Sequence, residues 1–427
     1  MVVRPNAHGR LLICLAGLAV ASILFVPLAV TPDAIDRFRV LKESLARATG
    51  ILGALGVVVA VALGGTDRLR ELLQRRAVTA IAAAATAWVI LTTVLSTHRA
   101  YSADSLVTFL SSLFLFLAVW YASRRIGLVI VDLLVVAVVV NAGLATLQAY
   151  GHWRPFRLSP EDPPHLGTTG LIDNPNVLGS YLALVAVILT VAAISVRGVR
   201  RWVYGPGAVA AVGGVLVSET RTALIALATG IVLVAIGGTI RRAAVAVVGI
   251  ALLFGLAVAM KIPVMTRLLE VPRIAQEQGL EIATSGRVAP VLAGLEMLRD
   301  RPLTGVGPGA FKARYMEYKL AVFDRYPQLI KGTWGTMFGE THNDHVQILA
   351  ETGVVGYALF LAAVVVLVRA VPKEASDERG RFVLRLALPL AGAVLVLALA
   401  QFPFYVPVTR HLLAVMAGLI VGWSDPE

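Results

Sequence analysis

LLICLAGLAVASILFVPLAV, residues 11–30, runs for 20 positions without a charged side chain. As an α-helix at about 1.5 Å per residue it spans about 30 Å, the thickness of a bilayer's hydrocarbon core. A helix also satisfies its own backbone hydrogen bonds, which lipid cannot do for it. A cleaved signal peptide would end in a clear small-residue cleavage site. This run continues instead into charged, helix-like sequence from 36 to 47, so it reads as a retained span.

Similar apolar runs follow at 48–65, 77–95, 105–122, 126–150, 177–195, 202–218, 222–240, 243–262, 346–368, 386–402 and 412–423. The expected fold is therefore all-α: a polytopic membrane protein with about twelve transmembrane helices. Composition agrees, with 58% hydrophobic and 15% charged residues and a mean hydropathy of +0.80, far more apolar than a soluble domain. The chain divides into helices one to nine over 1–262, a long loop over 263–345, and the last three helices over 346–427.

The net charge of +12 could in principle favour nucleic acid, but the basic residues sit in short clusters between apolar runs rather than on one basic element. Alternate connections carry Arg4 and Arg10, then Arg68, Arg70, Arg75 and Arg76, then Arg124 and Arg125, then Arg197, Arg200 and Arg201, then Arg241 and Arg242, then the stretch 369–385. By the positive-inside rule these face the cytoplasm with both termini. Membrane lipids are the expected surroundings, and nucleic acid is not an expected partner. Cys14, the single cysteine, lies inside the first run and supports neither an intrachain disulfide nor a cysteine metal cluster.

The opposite side receives 96–104, 150–176, 219–221, 263–341 and 403–410. The 263–341 loop, about 80 residues, is too long for a connector, and loops of that size usually fold and function. Within it Val288, Val291, Leu292, Leu295 and Leu298 are spaced as one apolar helical stripe. A glycine-rich turn with Gly305, Gly307 and Gly309 and a second helix over 310–320 are expected next. The run RPLTGVGPGAF, 301–311, lacks the Lys-Ser or Lys-Thr and the preceding strand of a nucleotide loop. Asp132 and Asn141, inside an expected span, are read as packing groups.

His342 opens the candidate chemistry, in GETHNDHVQILAETGVVG (339–356), where the loop returns to the membrane. An imidazole there can act as a general base toward an alcohol, or simply be a hydrogen-bonded interfacial side chain. His345 lies one turn on; a two-histidine metal site would need a carboxylate ligand that is not evident. Arg221, in a short turn on the less basic side, and Arg287, at the start of the loop's first helix, carry forked cations suited to diphosphate. Their bland reading is snorkelling to headgroups or pairing with a neighbour such as Glu219. Lys42 sits in a mixed-charge helix start and could add to anion binding.

Arg287 with the helix after it, DRPLTGVGPGAF (300–311), His342-Asn343 and LAETGVVG (349–356) together resemble the O-antigen ligase and polymerase superfamily of bacterial envelope glycan enzymes. The turn at 218–222 and the segment 38–42 look similar too. The resemblance implies a C-type glycosyltransferase-like fold and an inverting, metal-independent transfer of a glycan from undecaprenyl diphosphate to a hydroxyl such as a lipid A core sugar, on the periplasmic face of the inner membrane. It implies that His342 is the base and that Arg221 and Arg287 hold the diphosphate, with Asn343, His345 and Lys42 as further substrate contacts and no cofactor or metal. His345 departs from the family pattern, which more often has an aromatic or apolar residue there. An O-antigen polymerase and a protein O-oligosaccharyltransferase share the scaffold. A lipid-linked glycan transporter without catalysis would instead show repeat symmetry and paired intramembrane charges, and neither is found.

Overall fold

The computed structural model describes residues 7–31, 36, 38–151, 168–172, 174–237, 263–327, 337–371, 373–375 and 377–424. Nine helices precede the long loop: α1 (Ala7–Leu28), α2 (Arg39–Ala62), α3 (Thr66–Gln74), α4 (Arg76–Val94), α5 (Arg99–Ala122), α6 (Val129–Ala149), α7 (Pro175–Ser195), α8 (Val199–Val217) and α9 (Arg221–Ile236). The loop contributes α10 (Pro263–Glu277), α11 (Leu280–Ala283), α12 (Val288–Asp300) and α13 (Phe311–Arg325). The chain ends with α14 (Asp344–Arg369), α15 (Glu378–Leu397) and α16 (Pro407–Gly422). Among the described residues there is no strand.

Eight described helices are long and apolar enough to cross a membrane: α1, α2, α4 to α7, α14 and α15. This is a multi-pass membrane protein. Helices α9 and α16 are apolar but have 16 residues each. Helix α8 occupies the expected run 202–218 but is not among the eight, because Arg200 and Arg201 in its first turn and glycines through its body dilute its apolar content. The expected span 243–262 and the end of 222–240 lie outside the described residues.

The centre of the bundle is α7, whose side chains are buried on every face from Val177 to Ala192. A helix apolar all round belongs inside a bundle, and α6, α8, α9 and α15 pack around it. The two polar groups expected inside the α6 span are tied down. The Asp132 carboxylate accepts from Tyr204 Oη at 2.7 Å and pairs with Arg200 at 3.1 Å, while Asn141 Oδ1 accepts from Leu171 N at 2.9 Å. Arg68, read above only as a topology signal, donates to Trp120 O and Ser123 Oγ, both at 3.1 Å, and so fastens α3 to the end of α5.

Two sequence expectations are corrected. Helix α15 begins at Glu378 rather than 386, because the Asp377 carboxylate caps it by accepting from Gly380 N at 3.1 Å, and arginines in its opening turns hid the helix from an apolar count. Helix α12 buries Ala289, Ala293, Gly294 and Met297, whereas Leu295 of the expected stripe is 42% exposed. Small residues let α12 approach α13 and α14 closely, with Leu292 of the expected stripe packed beside Ala289 and Val322.

The glycine-rich turn is a docking strip against α14. Val306 N donates to Ala350 O at 2.9 Å, Gly307 N to Glu351 O at 3.0 Å, and Val354 N to Pro302 O at 2.9 Å. Helix α14 breaks at Gly353, with φ 69° and ψ −175°, where a Cβ would strike the Leu303 carbonyl. Gly353→Ala is therefore expected to lower the thermal midpoint of the purified protein. The left-handed strain alone costs about 1–3 kcal/mol, and the two backbones must also part. Gly17→Ala, in a helix with nothing within 4 Å, is the control and is expected to be neutral or slightly stabilising.

Candidate active site

Arg221, Arg287 and His342 come together at one end of the bundle, each placed by a turn in an unusual backbone conformation. Among the described residues the non-glycine positions with positive φ are Glu219 (54°), Ser285 (57°) and His342 (56°). Left-handed backbone is costly for such residues and concentrates at functional sites. Here the three strained positions are two residues before Arg221, two before Arg287, and His342 itself.

The first turn joins α8 to α9. Thr220 Oγ1 donates to Pro175 O at 2.9 Å and accepts from Ser218 Oγ at 3.1 Å, seating the turn on the start of α7. Arg221 then begins α9 and reaches Ser285 Oγ at 3.5 Å. The second turn precedes α12. Its helix N-terminus is satisfied by Glu281, whose Oε2 accepts from Val288 N at 3.0 Å and Ala289 N at 3.2 Å. That carboxylate is thereby occupied, and among the described residues no carboxylate pairs with Arg287. Burial first, and the charge of Arg221 second, push the Arg287 pKa down to about 10. Two cations that penalise each other in a half-buried setting make a site for an anion.

His342 lies between two rings, with Phe338 at 5.4 Å and Phe402 at 4.9 Å between centroids, both edge-to-face. Its Nδ1 is buried and has no hydrogen-bond partner among the described residues. Burial is the main cause, and the Arg287 charge the second, of a pKa pushed down to about 4, with Glu340 opposing them. With that value His342 is neutral at physiological pH, the form a base requires.

The other sequence candidates are placed differently. Asn343 caps α14, its Oδ1 accepting from Val346 N at 3.1 Å. His345 has both ring nitrogens engaged, with Tyr357 Oη and Leu395 O each at 3.0 Å. Lys42 is 1% exposed, and its ammonium donates to the carbonyls of Ala29 and of Leu171, the latter at 2.7 Å. Among the described residues no three His, Cys, Asp or Glu side chains converge as a metal site would need.

Sequence reasoning left Arg39 in a mixed-charge helix start read as a solvated face, and passed over Glu340, Phe338, Phe402 and Asp344. Arg39 Nη2 meets Glu340 Oε1 at 2.7 Å. Asp344, fully buried, accepts from Phe404 N at 2.9 Å. The signal available was the acidic flanking of His342 in GETHND (339–344), which read as ordinary loop polarity.

Fold and site together define a multi-pass membrane protein that presents paired cations and a neutral histidine at one end of its helical bundle. Residues 206–361 match the family model described as O-antigen ligase, which supports the resemblance to the O-antigen ligase and polymerase superfamily across the stretch holding Arg221, Arg287 and His342. Lys42 and Arg39 fall outside that stretch. No curated protein matches the chain.

Proposed function

We propose that this protein is a glycosyltransferase that moves a glycan from undecaprenyl diphosphate to an acceptor hydroxyl, the sugar of a lipid A core being the leading candidate, on the periplasmic face of the inner membrane. The observation that carries the reading is the grouping of Arg221 and Arg287 with His342, linked by their mutual effect on charge. The arginines bind the donor's diphosphate and offset its negative charge as it departs. His342 accepts the acceptor hydroxyl's proton, the oxygen's electron pair bonds to the anomeric carbon from the face opposite the diphosphate, and the carbon–oxygen bond to phosphate breaks. The diphosphate leaves with that bond's electrons, and configuration inverts. No step requires a metal or nucleotide.

The test is transfer by purified protein from undecaprenyl-diphosphate glycan to lipid A core, to a second carrier-linked repeat and to a serine- or threonine-bearing peptide, with and without EDTA. Product that persists in EDTA supports the reading, and loss of product in EDTA overturns metal independence. The acceptor that yields product separates ligase, polymerase and protein oligosaccharyltransferase. Transport without any product overturns the enzyme reading.

A pH profile follows from the site. His342 works as a base only when neutral, and kcat/KM reports the substrate-free protein. Its acid limb is expected near the His342 value of about 4, with rates holding as pH falls through 6.5. An acid limb at 6.5 would show a solvated histidine and contradict the buried geometry.

A further inference from the structure

Glu340 stands two residues before His342, with a side chain only 17% exposed, and it accepts an ion-paired hydrogen bond from Arg39 Nη2 at 2.7 Å. The same nitrogen reaches the Tyr405 carbonyl at 3.3 Å. Arg39, at the head of α2, thereby ties the segment 337–343 to the turn 398–406. Those two segments carry Phe338 and Phe402, the rings on either side of His342. The turn is pinned again from α14: Asp344 N donates to Ala398 O and its Oδ2 accepts from Phe404 N, both at 2.9 Å, while Tyr405 Oη donates to Glu351 Oε2 at 2.8 Å.

A histidine base commonly has its second nitrogen held by a carboxylate or carbonyl, which orients the ring and stabilises the imidazolium. His342 Nδ1 has no such partner among the described residues. Its orientation comes from the two rings, and the negative charge has to come from nearby without a direct bond. We propose that the Arg39–Glu340 pair is the positioning element of His342: Arg39 locks the two walls around the ring, and Glu340 supplies the counter-charge for the imidazolium formed when the acceptor's proton arrives. Glu340 exchanges no proton and touches no substrate. The inference rests on the reading of His342 as the base.

Other charged or ionisable groups stand on every element around the ring. Arg287 at the head of α12 and Arg221 at the head of α9 are positive; Arg39 on α2 is paired with Glu340. His345 on α14 and Tyr405 on the turn are engaged in the bonds already described, and Asp344 is held through its backbone N and Oδ2, its buried Oδ1 having no partner among the described residues. Glu340 is the carboxylate whose charge opposes Arg287 at His342. The pair's two roles can therefore be separated by reversing its polarity.

The test uses the full chain in lipid nanodiscs and reads His342 by NMR of imidazole-labelled protein, with no substrate present. The titration is repeated in an Arg287→Gln background, which is expected to raise the His342 midpoint by removing the second cause of its depression. Glu340→Gln, nearly isosteric, is expected to lower the His342 midpoint and to reduce kcat roughly three- to tenfold as a weaker base, with the donor KM unchanged. The double variant Arg39→Glu with Glu340→Arg rebuilds an ion pair but sets a cation beside the ring. It is expected to recover the thermal midpoint of the wild type while the His342 midpoint and kcat stay low. A Glu340→Gln protein whose His342 titrates as before, or a swapped pair that restores kcat, overturns the proposal. Full turnover by His342→Ala overturns the base assignment instead, and the substrate-free titration tells the two failures apart.

Discussion

His342→Ala is expected to reduce glycan transfer by about 10²- to 10⁴-fold, the range that a positioned general base contributes. The protein should remain folded, since among the described residues the imidazole makes no hydrogen bond through Nδ1, and it meets its neighbours as ring edges. Loss of the side chain therefore removes chemistry more than scaffold. His345 provides the contrast. Both its nitrogens are engaged within the bundle, so His345→Ala is expected to cost mainly stability, with a smaller loss of turnover than His342→Ala. The measurement is single-turnover transfer from carrier-linked glycan at saturating acceptor, with the thermal midpoint taken in parallel. Equal turnover by His342→Ala and wild type would remove His342 from the mechanism.

Arg287→Gln is expected to lower kcat/KM by about 10²- to 10³-fold, comparable to deleting one preorganised donor aimed at developing charge. The same substitution removes the cation that depresses His342. The acid limb of the surviving activity should therefore move up in pH, from about 4 towards the ordinary histidine range. Both effects in one variant would place the guanidinium against both the leaving diphosphate and the base. Arg287→Lys keeps the charge but not the fork; it is expected to recover most of the acid-limb position and only part of the rate. Lost activity with an unmoved acid limb would mean that Arg287 acts far from His342.

Much of the membrane architecture was legible because the decisive property is local. Each apolar run carries its own length, and a span needs nothing from the rest of the chain. The boundaries that misled were those set by something other than hydropathy. Asp377 starts α15 among arginines, and α12 buries Ala289, Ala293, Gly294 and Met297 while Leu295 stays exposed. The candidate site was legible in residue type: a histidine where the loop returns to the membrane and forked cations in short turns. Its partners were less so, since nothing local to Arg39 shows that it meets Glu340, 301 positions away.

RPLTGVGPGAF shows the same division. Sequence excluded a nucleotide loop by what the motif lacks, but its use emerged only from the backbone pairs to Ala350 and Glu351 and from the break at Gly353. Those glycines allow two backbones to touch, and no local propensity encodes the identity of the second backbone.

The sequence by itself determined that the chain crosses a membrane many times, how its basic turns are distributed, and which side chains have the chemistry for diphosphate and for proton transfer. Those follow from run length, formal charge and functional group, each a property of residues near one another in the chain. Tertiary structure alone decided that Arg221 and His342, 121 positions apart, share one end of the bundle with Arg287. It also decided that His342 lies half-buried between two rings with Glu340 nearby, and that Lys42 is spent on carbonyls. The reason is physical. Desolvation and charge coupling depend on what packs around a group, and the left-handed turns at Glu219, Ser285 and His342 are conformations that these residues adopt only when the surrounding fold compels them.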